Sequence, residues 1–193
     1  MWEPWFRSKP ETFTVAVLID SCDFEKRRVA AENKIKTTLQ FISQKFWDAF
    51  KIRFVITSIK PWQPPTQYCP RYSQVVRDAA ALNDLYKLFD SCGADLLVAF
   101  TNLVLVGRST TLQEHTVQIG GATKMYGECA IVGFFDEPLS AQRIAFHEFG
   151  HMFGAPHNFG RSVMNPRHCY ENFERRDKKI IAHNKRMGFL HRN

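Results

Sequence analysis

Along the first half of the chain, stretches of alternating apolar residues change places with stretches whose apolar residues recur every three or four positions. Thr12 to Asp20 alternates and is rich in β-branched residues, which predicts a buried strand. From Asp23 to about Phe50 the positions Ile35, Leu39, Ile42, Phe46 and Phe50 form a stripe at helical spacing, the pattern of a long helix packed on a sheet. Ile52, Phe54 and Ile56 predict a second strand, the Pro-rich piece from Pro61 to Pro70 a loop, and Ser73 to Phe89 a second helix through Val76, Ala80, Leu82 and Leu85. Asp95 to Thr101 reads as a third strand. Val117 to Met125 is polar and broken by Gly120 and Gly121, which suits an exposed edge. Cys129 to Phe134 returns as a strand. Glu137-Pro138 then sets a proline at a helix start, and that helix is expected to run to about Phe153. A last helix is expected from Glu171 to Arg186, with Phe173, Ile180, Ile181, Asn184 and Met187 inward. The order predicts an α/β fold: a twisted mixed sheet with an edge strand, two backing helices, a further helix below, and a short C-terminal helical lobe.

The chemistry sits on the predicted helix that ends near Phe153. His147 and His151 are four apart, so they lie one turn above each other on one helix face and can share a metal ion. Glu148 stands beside them, where a carboxylate can take a proton from water without occupying a coordination position. Gly154 can adopt the positive φ that ends the helix and turns the chain so that His157 returns to the same point. Three nitrogen ligands leave a fourth position open on zinc, the arrangement of a catalytic site. Five identities at these spacings arise by chance in such a chain with a probability below about 10^-4.

His147-Glu148-Phe149-Gly150-His151, with Gly154 and His157, and then Ser162-Val163-Met164-Asn165-Pro166, resemble the signature of the metzincin clan of zinc endopeptidases: HExxHxxGxxH followed by a methionine turn. Within the clan, HEFGH and Met-x-Pro look most like the matrixins. Asn158 departs from that pattern, because matrixins usually carry Ser after the third histidine and adamalysins Asp. Archaemetzincins place Cys there, which Asn158 also does not fit. The Asp/Gly-rich segment that holds structural zinc and calcium in matrixins is missing, so only one catalytic Zn2+ is carried over.

The resemblance implies a metzincin-like (zincin) fold and a zinc endopeptidase in which His147, His151 and His157 hold the metal. Met164 would lie under the imidazoles as an apolar floor. Glu148 would be the general base that takes the proton of zinc-activated water and delivers it to the leaving amine. The resemblance also implies that Gly121 and Ala122, on the edge strand, bind an extended substrate by main-chain hydrogen bonds. Asn165, Pro166 and Arg167 would wall the pocket for the side chain after the cleaved bond. Two rival functions share these residues: a peptide-binding protein that cleaves nothing, and a zinc amidase acting on a small molecule.

Length and composition set the bounds. With 193 residues, 45% of them hydrophobic, the chain is expected to form one catalytic domain over 1–193, with an N-terminal subdomain of about 11–157 and a C-terminal one of about 158–193. No apolar run reaches the length of a membrane span, and Met1-Trp2-Glu3-Pro4-Trp5 does not open a signal peptide. The expectation is a cytoplasmic protein as written, or an exported one if a leader is removed, and a monomer acting on a peptide or protein. The net charge of +7 gathers after Arg167 and is expected to be a solvated helix face rather than a nucleic-acid surface, since no aromatic residues interleave it. The five cysteines show no metal spacing and are expected to be scattered buried thiols, with a disulfide pair as the alternative. Cys69 lacks the surroundings of a matrixin propeptide cysteine. His115, His168, His183 and His191 share no ligand spacing with the triad and are expected to be surface or packing residues, with His168 near enough to the methionine turn to reach substrate.

Overall fold

The computed structural model describes residues 10–69, 73–108, 116–133, 138–167 and 170–185. In chain order the elements are β1 (Glu11–Asp20), α1 (Ser21–Phe50), β2 (Ile52–Trp62), β3 (Thr66–Cys69), β4 (Ser73–Arg77), α2 (Asp78–Phe89) and β5 (Leu96–Thr101). They continue with β6 (Val104–Arg108), β7 (Thr116–Ile119), β8 (Gly121–Thr123), β9 (Cys129–Gly133), α3 (Pro138–Met152) and α4 (Arg175–Asn184). Five strands form one sheet in the order β2-β1-β5-β9-β8. The first four of these are mutually parallel, and β8 runs antiparallel to β9 at the edge.

Successive side chains of a strand point to opposite faces, so central strands covered on both sides must be apolar at every position. Val15, Val17 and Ile19 of β1, Leu96, Val98 and Phe100 of β5, and Ala130 and Val132 of β9 enter one core with α1, α3 and α4. The intervening Ala16, Leu18, Leu97, Ala99, Cys129 and Ile131 enter a second core with Ala81, Leu82 and Leu85 of α2. Thus α1 and α3 share one face of the sheet and α2 covers the other.

Phe46 is the centre of the first core. Its ring lies within 5.1 to 6.3 Å, centroid to centroid, of Phe50, Phe54, Phe146, Phe149, Phe153 and Phe173. Four of these seven rings come from α3 and the segments that follow it, so the helix bearing the histidines is fixed from behind by aromatic packing, often in the edge-to-face arrangement that ring quadrupoles favour.

Several sequence expectations need correction. The Pro-rich stretch is no loop throughout: β2 continues to Trp62 and β3 occupies Thr66–Cys69. Ser73–Arg77 is a strand, and α2 starts only at Asp78. With β6 and β7, strands β3 and β4 make a second, four-stranded sheet in the order β3-β4-β6-β7 that the sequence pattern did not announce. Its strands have four or five residues each, too short for a periodicity to stand out. The segment from Val117 to Met125 divides at Gly120 between β7 in the second sheet and β8 on the edge of the first. The long helix α1 is interrupted at Arg27, whose φ of −141° and ψ of 32° are not helical. The last helix is shorter than expected, Arg175–Asn184, with Phe173, Ile181 and Asn184 buried as foreseen; Arg186 and Met187 lie outside the described residues. Among the described residues no helix is long and apolar enough to cross a membrane. Cys92 and Cys129 form no disulfide, and the side chains of Cys22, Cys69 and Cys169 lie outside the described set.

Candidate metal centre and active-site cleft

One face of α3 is core and the other is chemistry. Ala141, Ala145, Phe146, Phe149 and Met152 are buried in the aromatic cluster, which turns His147, Glu148 and His151 away from it. After His151 the helix closes in a Schellman arrangement: Ala155 N–H donates to Gly150 O at 2.9 Å and Gly154 N–H to His151 O at 2.8 Å. Gly154 has φ +82°, and a Cβ there would collide with the Tyr126 ring and the Asn184 amide. Asn184 meanwhile donates to Phe153 O at 2.9 Å, tying α4 to this helix end. The turn swings His157 back over the helix.

The three imidazoles meet at one point. His147 Nε2 stands 3.0 Å from His151 Nε2 and 3.1 Å from His157 Nε2, and ligand atoms of all three lie within 4.8 Å of one another. Nitrogens bound tetrahedrally at about 2.0–2.1 Å from one zinc ion are roughly 3.4 Å apart, so the spacing suits such an ion after a small outward adjustment. The opposite ring nitrogens are committed: His147 Nδ1 donates to Val163 O and His151 Nδ1 to Ala155 O, each at 2.7 Å. Those bonds fix the tautomer and leave Nε2 lone pairs facing the common point. Burial lowers His147 to about 4 and His151 to about 3, and lowers His157 as well, so all three rings are neutral donors at physiological pH. Neutral nitrogens converging this closely repel unless a cation sits among them. The residues therefore fit zinc.

Met164 is fully buried and packs on the same helix. Its place depends on Gly150, because a Cβ at that position would run into the Met164 sulfur and the Phe173 ring. The turn itself is polar. Asn165 N–H donates to Ser162 O at 3.0 Å, Met164 N–H to Ser162 Oγ at 3.1 Å, and Asn158 N–H to Met164 O at 3.1 Å. At the hub is the carboxylate of Asp177, 1% exposed. It accepts from Ser162 Oγ, from Asn158 Nδ2 at 2.9 and 3.0 Å, and from Glu174 N–H at 3.1 Å. The residue after the third histidine must donate here, which an amide does and a second carboxylate does not.

The metal point opens into a cleft of 310 Å³ lined by Gln118, Ile119, Gly120, Gly121, Arg143, Ile144, His147, Glu148, His157, Val163, Asn165 and Pro166. Glu148 is 5% exposed, and burial pushes its carboxyl up to about 8 in the metal-free protein. A dication beside it favours the charged form. The edge strand approaches because Gly121 lacks a side chain: a Cβ there would stand 2.9 Å from Glu148 Oε1. A larger groove, 630 Å³ between α1 and β2, contains no histidine.

Of the residues singled out in the sequence, the structure brings His147, Glu148, His157, Gly121, Asn165 and Pro166 into one cleft, with His151 completing the triad. The Ala122 side chain packs against the α2-side core while its main chain stays on the edge strand β8, and Arg167 lies over the exposed Phe159 ring at 5.4 Å. His183 is exposed, whereas His115, His168 and His191 lie outside the described residues. Sequence reasoning missed Arg143, Ile144, Val163 and Asp177. Arg143 had a signal, standing four residues before His147 and so on the same helix face; Asp177 had none beyond its place in a helix's first turn.

A three-histidine point on such a helix, a buried methionine packed on that helix at Gly150 and an edge strand alongside match a metzincin-like zincin fold. The family model for metallo-peptidase family M12 (Reprolysin_5) matches residues 9–184. The chain belongs to that family. Among solved structures, an archaemetzincin from Methanopyrus kandleri superposes with a TM-score of 0.65 and 18% identity, covering 91% of this chain and 96% of that one. An archaemetzincin from Archaeoglobus fulgidus, complexed with malonate, gives 0.56 and 11% over 86% and 99%. A chain in a chaperone-substrate complex gives 0.62 and 11% over 94% of this chain and 36% of that one. No curated protein sequence matches. At these identities the likeness to solved structures is one of fold, and the finer resemblance to matrixins rests on the motif alone.

Proposed function

We propose that this chain is a zinc-dependent endopeptidase, with His147, His151 and His157 as metal ligands and Glu148 as general base. The observation that carries the reading is the convergence of three neutral imidazoles in the cleft that also holds Glu148 and the outer edge of β8. Zinc in this position supplies a Lewis acid that polarises a peptide carbonyl and acidifies water. The chain's own residues do the rest. Val163 O and Ala155 O keep the rings in register, Met164 supports them, and Glu148 takes the proton of the attacking water and returns it to the departing amine. The free edge of β8, opened by Gly120 and Gly121, can pair with an extended substrate by strand addition, which favours a peptide over a compact small molecule.

The test is digestion of a mixed peptide library by zinc-loaded protein beside Glu148→Ala, with products read by mass spectrometry. Parent protein should cut internal bonds, and the variant should bind one zinc while turning over about 10^2–10^4 times more slowly. Equal cutting by both would remove Glu148 from its role. Trimming confined to chain ends would replace endopeptidase by exopeptidase.

A further inference from the structure

Within the cleft the wall shared by α3 and the methionine turn carries one cationic side chain, Arg143, among residues that are otherwise neutral apart from Glu148. Its guanidinium is half used. Nη2 donates to Glu171 Oε1 at 2.7 Å, while Nε is enclosed, with no acceptor among the described residues. A guanidinium is a rigid fork that binds a carboxylate by two parallel N–H···O bonds, and Glu171 fills only one prong. Glu171 is itself 48% exposed, so it is a partner that water and other anions can compete with. The Arg143 side chain is 31% exposed and lines the cleft, so a substrate carboxylate can meet its guanidinium beside Glu171.

We infer that Arg143 determines specificity: the cleft wall it shares with Asn165 and Pro166 recognises a substrate carboxylate, either an acidic side chain following the scissile bond or the free carboxylate of a chain end. This rests on the peptidase reading above and deepens it. The ligand binds the Arg143 guanidinium beside Glu171 and shares or displaces that carboxylate at Nη2. A purely apolar wall would show no such preference.

Two pairs of peptides test it, one differing as Glu against Gln after the scissile bond, the other as a C-terminal carboxylate against an amide at that place. Cleavage is measured with zinc-loaded protein, and binding by fluorescence anisotropy on zinc-loaded Glu148→Ala, each with and without Arg143→Gln. The carboxylate member of at least one pair should be favoured about tenfold or more in kcat/KM and in affinity, and Arg143→Gln should bring the ratio to within about twofold of one. The pair that responds identifies the source of the carboxylate. Arg143→Lys, which keeps the charge and loses the fork, should retain part of the preference and serves if Arg143→Gln does not fold. Removing the exposed competitor by Glu171→Gln should raise the ratio. Absence of cleavage by every protein would defeat the peptidase reading alone, since the binding ratios still decide this one. Equal ratios for both pairs in the parent protein, or a ratio that survives Arg143→Gln, would overturn it.

Discussion

The segments on either side of the metal point are held together by opposite means. In front of it, α1, β1, β5 and α3 meet through six phenylalanine rings around Phe46 and through strands with apolar residues at every position. Behind it, Asn158 to Arg167 has no helix or strand and is organised by hydrogen bonds to one buried carboxylate, Asp177, 19 positions from Asn158. Burial is non-directional and fixes where the helix lies; hydrogen bonds are directional and fix how His157 and Met164 face it. The metal centre stands where the two regimes meet. His147 shows this within one side chain: its helix is set by aromatic packing and its ring rotation by Val163 O.

That contrast can be broken from either side. Phe46→Ala should cost the most stability, about 3–5 kcal/mol, read as a fall in the chemical denaturation midpoint, while zinc affinity of the folded fraction changes little. A loss of zinc affinity comparable to the loss of stability would mean that the core also shapes the ligand geometry. Asp177→Ala strips the acceptor from Ser162, Asn158 and Glu174 at once and should destabilise by about 2–4 kcal/mol. Here zinc affinity and turnover should fall along with stability, measured by competition with a chelating dye. Unaltered zinc binding in that variant would show that the turn holds its shape without the hub. Gly150→Ala acts at the seam, where the added methyl meets Met164 and Phe173. Its expected cost is about 1–3 kcal/mol, and Met164→Ala in the same chain should recover part of it; no recovery would mean that the strain is relieved elsewhere.

Much of this was legible in the residues. The strand alternation from Thr12 to Asp20 and the stripe from Ile35 to Phe50 are local periodicities, and each produced the element it predicts. HExxHxxGxxH is legible for the same reason: a helix pitch, one glycine at φ +82° and a short return place three rings together within eleven residues. The second sheet was not legible, because Ser73–Arg77 joins a helical stripe without a break and its pairing with Val104–Arg108 spans a separation that no local pattern encodes.

The sequence by itself determined the three-histidine set, the carboxylate beside it and the apolar faces that fold the sheet, since these depend on residue type and short spacing. Only the tertiary structure decided that Val163 and Ala155 carbonyls lock two of the imidazoles, that Asn158 donates to the buried Asp177, and that Arg143 stands half satisfied in the cleft wall. A polar residue looks the same in sequence whether water or a buried partner satisfies it. Which of these holds is settled by where distant segments are brought together.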